Sequence, residues 1–585
     1  MMTKIAGADS GQRQLNGPQT SGREYRNLSL PEHSVTREDD LAVPMRDGVT
    51  LLADVLRPAT PGRFPVLVAA SPYPRQIQNT GAPMGFIEAG ASDFFVPRGY
   101  AHLIVNLRGT GGSGGTFGFF DSEERRDMYD LVEWAAAQPW CDGNVGMVGI
   151  SYFAMTQLEA AVEQPPHLKA VFPVAVTTDL YEAATHHGLV SSTFVTAFLA
   201  MLGLTSAHGN ELWRGKLVAA AQHVLQTPAL HRRFAKTNGE AALGGLKLLL
   251  KLHHDPHPWD ELWRSIVVEH PARDAWWDDR NLVPLLSRVE VPVYLGCDWD
   301  NVALHLPSTF DAFHALTNSP HVRVAMLGAH GLSWPWESLH VEALAWFDHW
   351  LKGRETGILD GPRIRYRLPG ADGWLTSETW PPAESVLHEL ALRADGRLDG
   401  SEGEAGQRQY MTLGAGLNRA QASPTDPPTN LAWTGAPLEH DLDVAGDFEV
   451  RLDAVSTAAD TAWIIMLEDV APSGDATLVT AGYLRASLRA VDEEESRPGA
   501  PVVSCRKCEA VPVGELVHYR VPLVSNARRI AAGHRLELHI ASDDQDPAAL
   551  TSLGFRHASV GTSSLNTILS SSRLVLPVLG RAPSN

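Results

Sequence analysis

From Leu41 to about Val176, and again from Asn281 to Gly353, short apolar runs alternate with stretches of helical period, and this alternation most constrains the fold. Val66 to Ala70, Ala101 to Leu107, Val145 to Ile150, Ala170 to Val176, Val291 to Gly296 and Val322 to Leu327 are apolar nearly throughout. Strands read this way when both faces of their sheet are covered. Between them, Ser122 to Gln138 sets Met128, Leu131, Val132 and Ala135 on one helical face, behind the capping candidates Asp121 and Ser122. Trp336 to Leu351 does the same with Leu339, Ala343, Leu344, Phe347 and Leu351. Strand, helix, strand in this order predicts an α/β fold, a parallel sheet with right-handed crossovers. Its functional groups belong at the C-terminal ends of the strands. At the start, Leu41 to Met45 and Val49 to Leu56 flank Arg46-Asp47-Gly48 and predict a hairpin.

The other stretches differ in character. Residues 1–40 are polar and read as a loose N-terminal arm. Residues 177–279 are mostly helical and split the α/β pattern into 41–176 and 280–361, as an inserted cap would. From 362 to 585 the period becomes two: Phe448, Val450 and Leu452 alternate with Glu449 and Arg451, and Leu536, Leu538 and Ile540 with Glu537 and His539. This predicts a C-terminal all-β domain, a jelly-roll sandwich. The net charge of −20 argues against nucleic acid as a partner, because phosphate binding needs a basic stripe. No run reaches the ~18 apolar residues of a membrane helix, residues 1–20 hold no apolar signal core, and four cysteines make no disulfide framework. A soluble cytoplasmic protein is expected.

The chemistry concentrates at three strand ends. Val145 to Ile150 runs into Gly149-Ile150-Ser151-Tyr152, and Phe153 to Val162 can continue as a helix. A serine on such a turn is lifted clear of the sheet, with the helix N-terminus and the next backbone N–H where an oxyanion would form. Val291 to Gly296 leads into Cys297-Asp298-Trp299-Asp300-Asn301, and Val322 to Leu327 into Gly328-Ala329-His330-Gly331. Serine, acid and histidine thus follow three strands in the chain order of α/β-hydrolases. Serine is a weak nucleophile until an imidazole takes its proton, and a carboxylate fixes the tautomer of that imidazole.

These motifs resemble a known family, the cocaine esterase-like hydrolases, grouped with X-Pro dipeptidyl-peptidases and α-amino-acid ester hydrolases. The resemblance is carried by Val43 to Leu51, by Arg108-Gly109-Thr110-Gly111-Gly112-Ser113-Gly114-Gly115, and by Gln138-Pro139-Trp140 with Asp142 to Tyr152. Trp346-Phe347-Asp348, Leu351-Lys352-Gly353 and Gly357-Ile358 extend it. It implies the α/β-hydrolase fold with a helical cap and a terminal jelly roll. It implies Ser151 as nucleophile, Asp300 as triad acid, His330 as base, and an oxyanion hole of the Tyr73 hydroxyl and the Tyr152 N–H. Asp298 is a rival acid where the family has an aromatic. Phe153, Ala154 and Ala329 also depart from the family pattern. No cofactor or metal is implied, and the resemblance leans toward a homodimer.

Three other patterns carry less. Gly109 to Gly114 fits a dinucleotide fingerprint, but the helix should begin inside the motif and here begins near Ser122. Cys505 and Cys508 are one pair, where structural zinc takes four ligands. His253, His254, Asp255 and His257 read as a solvated cap loop. Trp213, Trp259, Trp263, Trp276 and Trp277 read as packing, with some of them in the substrate pocket. The expected function is hydrolysis of a small-molecule carboxylic ester through an acyl-enzyme. Open alternatives are amide hydrolysis of the X-Pro dipeptidyl-peptidase or β-lactam acylase type, acyl transfer, and an inactive binding protein on the same fold.

Overall fold

A computed structural model describes residues 17–78, 87–207, 257–328, 338–401, 403–412, 428–544, 555–560 and 563–580. Its first sheet comprises β1 (Val35–Pro44), β2 (Thr50–Pro58), β3 (Phe64–Ser71), β4 (Ala101–Asn106), β5 (Cys141–Ile150), β6 (Leu168–Val174), β7 (Val293–Asp298), β8 (Val322–Leu327), β9 (Ile364–Arg367) and β10 (Trp374–Ser377). The order across it is β1-β2-β4-β3-β5-β6-β7-β8-β9-β10. The β1–β2 hairpin and the β2–β4 pair are antiparallel, and β4 through β9 run parallel. Every residue of β4, β7 and β8 is buried, which is why these runs carry no polar alternation.

The helices that matter for the site are α1 (Ser122–Ala136), α2 (Tyr152–Glu163), α3 (Leu180–Thr185), α4 (Ser192–Ala207) and α5 (His340–Lys352). Asp121 caps α1 by accepting the Glu124 N–H at 3.0 Å. α5 lies on β5 and β6, with the Trp346 indole donating to the Val171 carbonyl at 3.1 Å. Gly146 of β5 makes this close approach workable: a Cβ there would stand 2.8 Å from the Phe347 ring.

Two expected boundaries move. The arm is not loose from Gly17 onward. Ser21 donates its N–H and hydroxyl to the Glu342 carboxylate, each at 2.8 Å, and Ser29 does the same to Asp348 at 2.6 and 2.7 Å. Both acceptors sit on α5, so the polar composition reflects partners far along the chain. The first sheet also continues through β9 and β10, past the boundary expected at 361.

Beyond it, eleven strands between Ser385 and Leu579 form a second sheet. Leu442–Ser456 pairs along its length with Leu516–Ile530, and Arg573–Leu579 pairs with both Ser385–Leu392 and Leu442–Ser456, closing the sheet on itself. Phe448, Val450 and Leu452 point inward as the alternation predicts. Glu449 is buried as well, because the Arg520 guanidinium meets it at 2.6 Å. Among the described residues, no helix is long and apolar enough to cross a membrane.

Candidate active site

The strand–helix turn after β5 is built around Ser151, which holds φ 60° and ψ −120°. A non-glycine residue is strained there. The turn is secured on both sides: the Ser151 N–H donates to the Val174 carbonyl at 3.0 Å, and the Ile150 N–H to the Glu88 carbonyl at 3.1 Å. Gly149 is required sterically, since a Cβ there would stand 2.4 Å from the Phe153 Cβ. Tyr152 opens α2, so its N–H belongs to the first turn, whose donors lack intrahelical acceptors. Its phenol donates to Glu124 Oε2 at 3.1 Å.

Tyr73 lies two residues beyond β3, on a short loop. The loop is tied by the Tyr73 N–H to Ser71 Oγ at 3.0 Å and by Asn106 Nδ2 to the Tyr73 carbonyl at 2.7 Å. Behind it, buried Arg75 bonds Asp54, Asn106, Asp40 and the Gly111 carbonyl. The Tyr73 side chain lines the same cavity as Ser151, and burial holds its phenol well above its ordinary pKa, so it is neutral and can donate.

Ser151, Tyr73 and Tyr152 open on one cavity of about 90 Å³. Phe119, Met155 and Leu180 line it, and α4 adds Phe194, Phe198 and Leu199. Among the described residues, polar side chains lining it besides Ser151 and the two tyrosines are few: Glu88, Thr177 and His305. Thr177 Oγ1 and His305 Nδ1 are 3.0 Å apart, and burial presses His305 down to about 3, so it is neutral. None of the described cap tryptophans lines this cavity. Trp259 and Trp277 are packed in the core, and the Trp263 indole donates to Thr196 Oγ1 at 2.9 Å on the outer side of α4. Sequence reasoning missed Phe119, Phe194, Phe198, Glu88 and His305. α4 is apolar all round, so no period singled out its cavity face.

The acid loop starts later than expected, because β7 runs through Asp298. Asp298 is therefore the last strand residue, 3% exposed, with its Oδ1 accepting from Asn301 Nδ2 at 3.0 Å. Asp300 stands two residues past the strand and is exposed. His330 and Ala329 lie outside the described residues, as do Trp213, His253, His254 and Asp255. The Gly109–Gly115 loop follows β4 and packs back on it: a Cβ on Gly111 would overlap the Asn106 amide at 2.1 Å. The four cysteines are unpaired. On the second sheet, Glu468, Glu537 and His539 converge closely enough to hold a metal ion. The two carboxylates raise the His539 pKa, so a proton on the imidazole satisfies the group as an ion pair.

A serine on a strained strand–helix elbow, facing a neutral phenol in an apolar cavity, on a sheet of this strand order, defines a serine hydrolase of the α/β class. The family model of X-Pro dipeptidyl-peptidase (S15 family) matches residues 47–337, and that of the X-Pro dipeptidyl-peptidase C-terminal non-catalytic domain matches residues 356–552. The chain belongs to this family, that of the cocaine esterase-like and X-Pro dipeptidyl-peptidase hydrolases. It is 27% identical to the cocaine esterase of a Rhodococcus species, over 86% of this chain and 90% of that one. The crystal structure of a CocE/NonD family hydrolase from Staphylococcus aureus shares the fold with a TM-score of 0.74, at 22% identity over 93% of this chain and 94% of that one. An α-amino acid ester hydrolase shares it with a TM-score of 0.69, at 18% identity over 96% and 99%.

Proposed function

We propose that this chain hydrolyses small carboxylic esters through an acyl-enzyme on Ser151. His330, which follows β8 in the chain, takes the serine proton as Oγ attacks and returns it to the leaving alcohol. Water then enters by the reverse proton path and releases the acid. Asp300 orients His330 and stabilises the imidazolium. The Tyr73 hydroxyl and the Tyr152 N–H hold the oxyanion, where donors act most strongly as charge develops. The observation that carries this reading is the Ser151 elbow, at φ 60°, sharing one cavity with the neutral Tyr73 phenol.

A second reading of the acid rests on burial. Asp298 is nearly inaccessible at the strand end, while Asp300 is exposed, and a triad carboxylate works best away from water. Amide hydrolysis, the chemistry named by the matched family model, would use the same residues with a poorer leaving group. We also assign the closed second sheet a jelly-roll arrangement, and the chain a cytoplasmic location in keeping with its unpaired thiols. The deciding experiment is labelling with a fluorophosphonate alongside turnover of p-nitrophenyl esters. Wild type labels on Ser151, and Ser151→Ala neither labels nor turns over, with a loss of about 10⁴- to 10⁶-fold. Residual turnover near wild type in Ser151→Ala would overturn the assignment.

A further inference from the structure

Among the described residues lining the cavity around Ser151 is one acid that these hydrolytic steps do not use. Glu88 is 3% exposed and lines the cavity beside Tyr73 and Ser151. Its backbone is held on both sides, the N–H donating to Gln78 Oε1 at 2.9 Å and the carbonyl accepting from Ile150 next to the nucleophile. Its Oε2 is buried with no hydrogen-bond partner among the described residues. No Lys or Arg is among the described residues lining this space.

We propose that Glu88 is a specificity-determining residue: its carboxyl group sets a hydrogen-bond donor in a mostly apolar acyl cavity and selects acyl chains that carry an ether, hydroxyl or keto oxygen. The proposal rests on the reading that Ser151 is acylated in this cavity. Burial without a cation holds Glu88 well above the usual carboxylate range, so the group is neutral and has an O–H to give. A plain alkyl chain leaves that buried donor unmet, at a cost of about 1–3 kcal/mol, and an oxygen in the chain meets it. Sites built to hydrogen-bond a substrate discriminate by this route against analogues that lack the polar atom. A protonated amine suits the cavity less well, because both it and an ionised Glu88 would have to be desolvated among aromatic and aliphatic walls. The volume of about 90 Å³ corresponds to roughly six to nine water-sized positions, which is the scale of a short acyl chain.

The test compares p-nitrophenyl butyrate with p-nitrophenyl methoxyacetate, which differ by one methylene exchanged for oxygen. The ratio of their kcat/KM values is measured in wild type, Glu88→Gln and Glu88→Leu, which cancels the intrinsic difference in reactivity. In Glu88→Leu the ratio of methoxyacetate to butyrate falls roughly five- to tenfold. In Glu88→Gln, whose amide still donates, it stays within about twofold of wild type. An unchanged ratio in Glu88→Leu overturns the proposal. An equal fall of both esters also overturns it, since Glu88 would then act on the shared carbonyl. A preference for p-nitrophenyl alaninate that disappears in both variants overturns it too, since the carboxylate would be reading a cation. Fluorophosphonate labelling separates the two levels. If wild type does not label, the serine hydrolase reading fails; if it labels and the ratio does not move, only the Glu88 proposal fails. Glu88→Met, compared in the same way, replaces Glu88→Leu should the latter not fold.

Discussion

Ser151 holds a backbone conformation that costs of order 1–3 kcal/mol, and the residues around it show what sustains it. Phe153 stands where many such turns have glycine, and the space it needs is supplied by the missing Cβ of Gly149. The departure is thus absorbed inside the turn. Tyr73→Phe removes the proposed oxyanion donor and leaves the ring packing with Phe153 and Phe198 intact. Turnover should drop roughly 10²- to 10³-fold, or about 2.7–4 kcal/mol, with KM little altered. Steady-state kinetics on one ester checks this; turnover within threefold of wild type would leave the oxyanion to backbone donors. The two acids are separable by the same assay. Asp300→Asn should lower kcat by orders of magnitude and Asp298→Asn far less. The reverse ranking would move the triad acid to the buried strand end.

At the scale of elements, α1 and α2 meet through two buried carboxyls, Glu124 and Glu159. Burial, with Asp121 nearby, pushes Glu124 up to about 8, and burial beside Glu124 raises Glu159 as well. The folded chain therefore holds these protons more tightly than the unfolded chain. Stability contributed by the neutral pair is complete below the ordinary value near 4.5 and declines as pH rises toward 8. Replacing Glu159 by Gln removes one of the two ionisations. Thermal melts at pH 5 and pH 9 should show wild type losing more between the two than Glu159→Gln, and parallel losses would contradict the assignment. Tyr152 donates to Glu124, so the pair also steadies the residue next to Ser151. None of this was legible in the helical pattern of Ser122 to Gln138, where Glu124 reads as an ordinary acidic first-turn residue.

Across the whole molecule, the second domain reaches the acid loop. Asn526 Nδ2 donates to the Trp299 carbonyl at 3.2 Å, between Asp298 and Asp300. The Trp299 indole donates to the Arg367 carbonyl at 2.7 Å. Phe310 stacks on Trp380 at 4.3 Å in the same seam. On the cap side, His186 lies 2.7 Å from His557 and 2.6 Å from the Ala303 carbonyl. The β domain therefore contacts the acid loop and the cap directly. Asn526→Ala should lower kcat roughly tenfold through displacement of the acid, with circular dichroism unchanged. A kcat within twofold of wild type would mean that the acid loop holds its own shape.

Local patterning determined a great deal here. Apolar runs bounded by glycine and aspartate placed the parallel strands, and the bounds of β8 match the predicted run from end to end. The Gly149-Ile150-Ser151 turn was readable because a strand, a small residue and a helix start are all near neighbours in the chain. What the tertiary structure alone decided involves partners far apart in sequence. The arm docks because Ser21 and Ser29 find carboxylates on α5 more than 300 residues later. Glu88 becomes part of the cavity beside Ser151 because its carbonyl, ahead of β4, accepts from Ile150 at the end of β5. Among the described residues, phenylalanines rather than tryptophans line the cavity because α4 turns Phe194 and Phe198 inward. Periodicity encodes which face of an element is apolar; which apolar face meets the nucleophile is set by how the elements pack, and no local pattern carries that information.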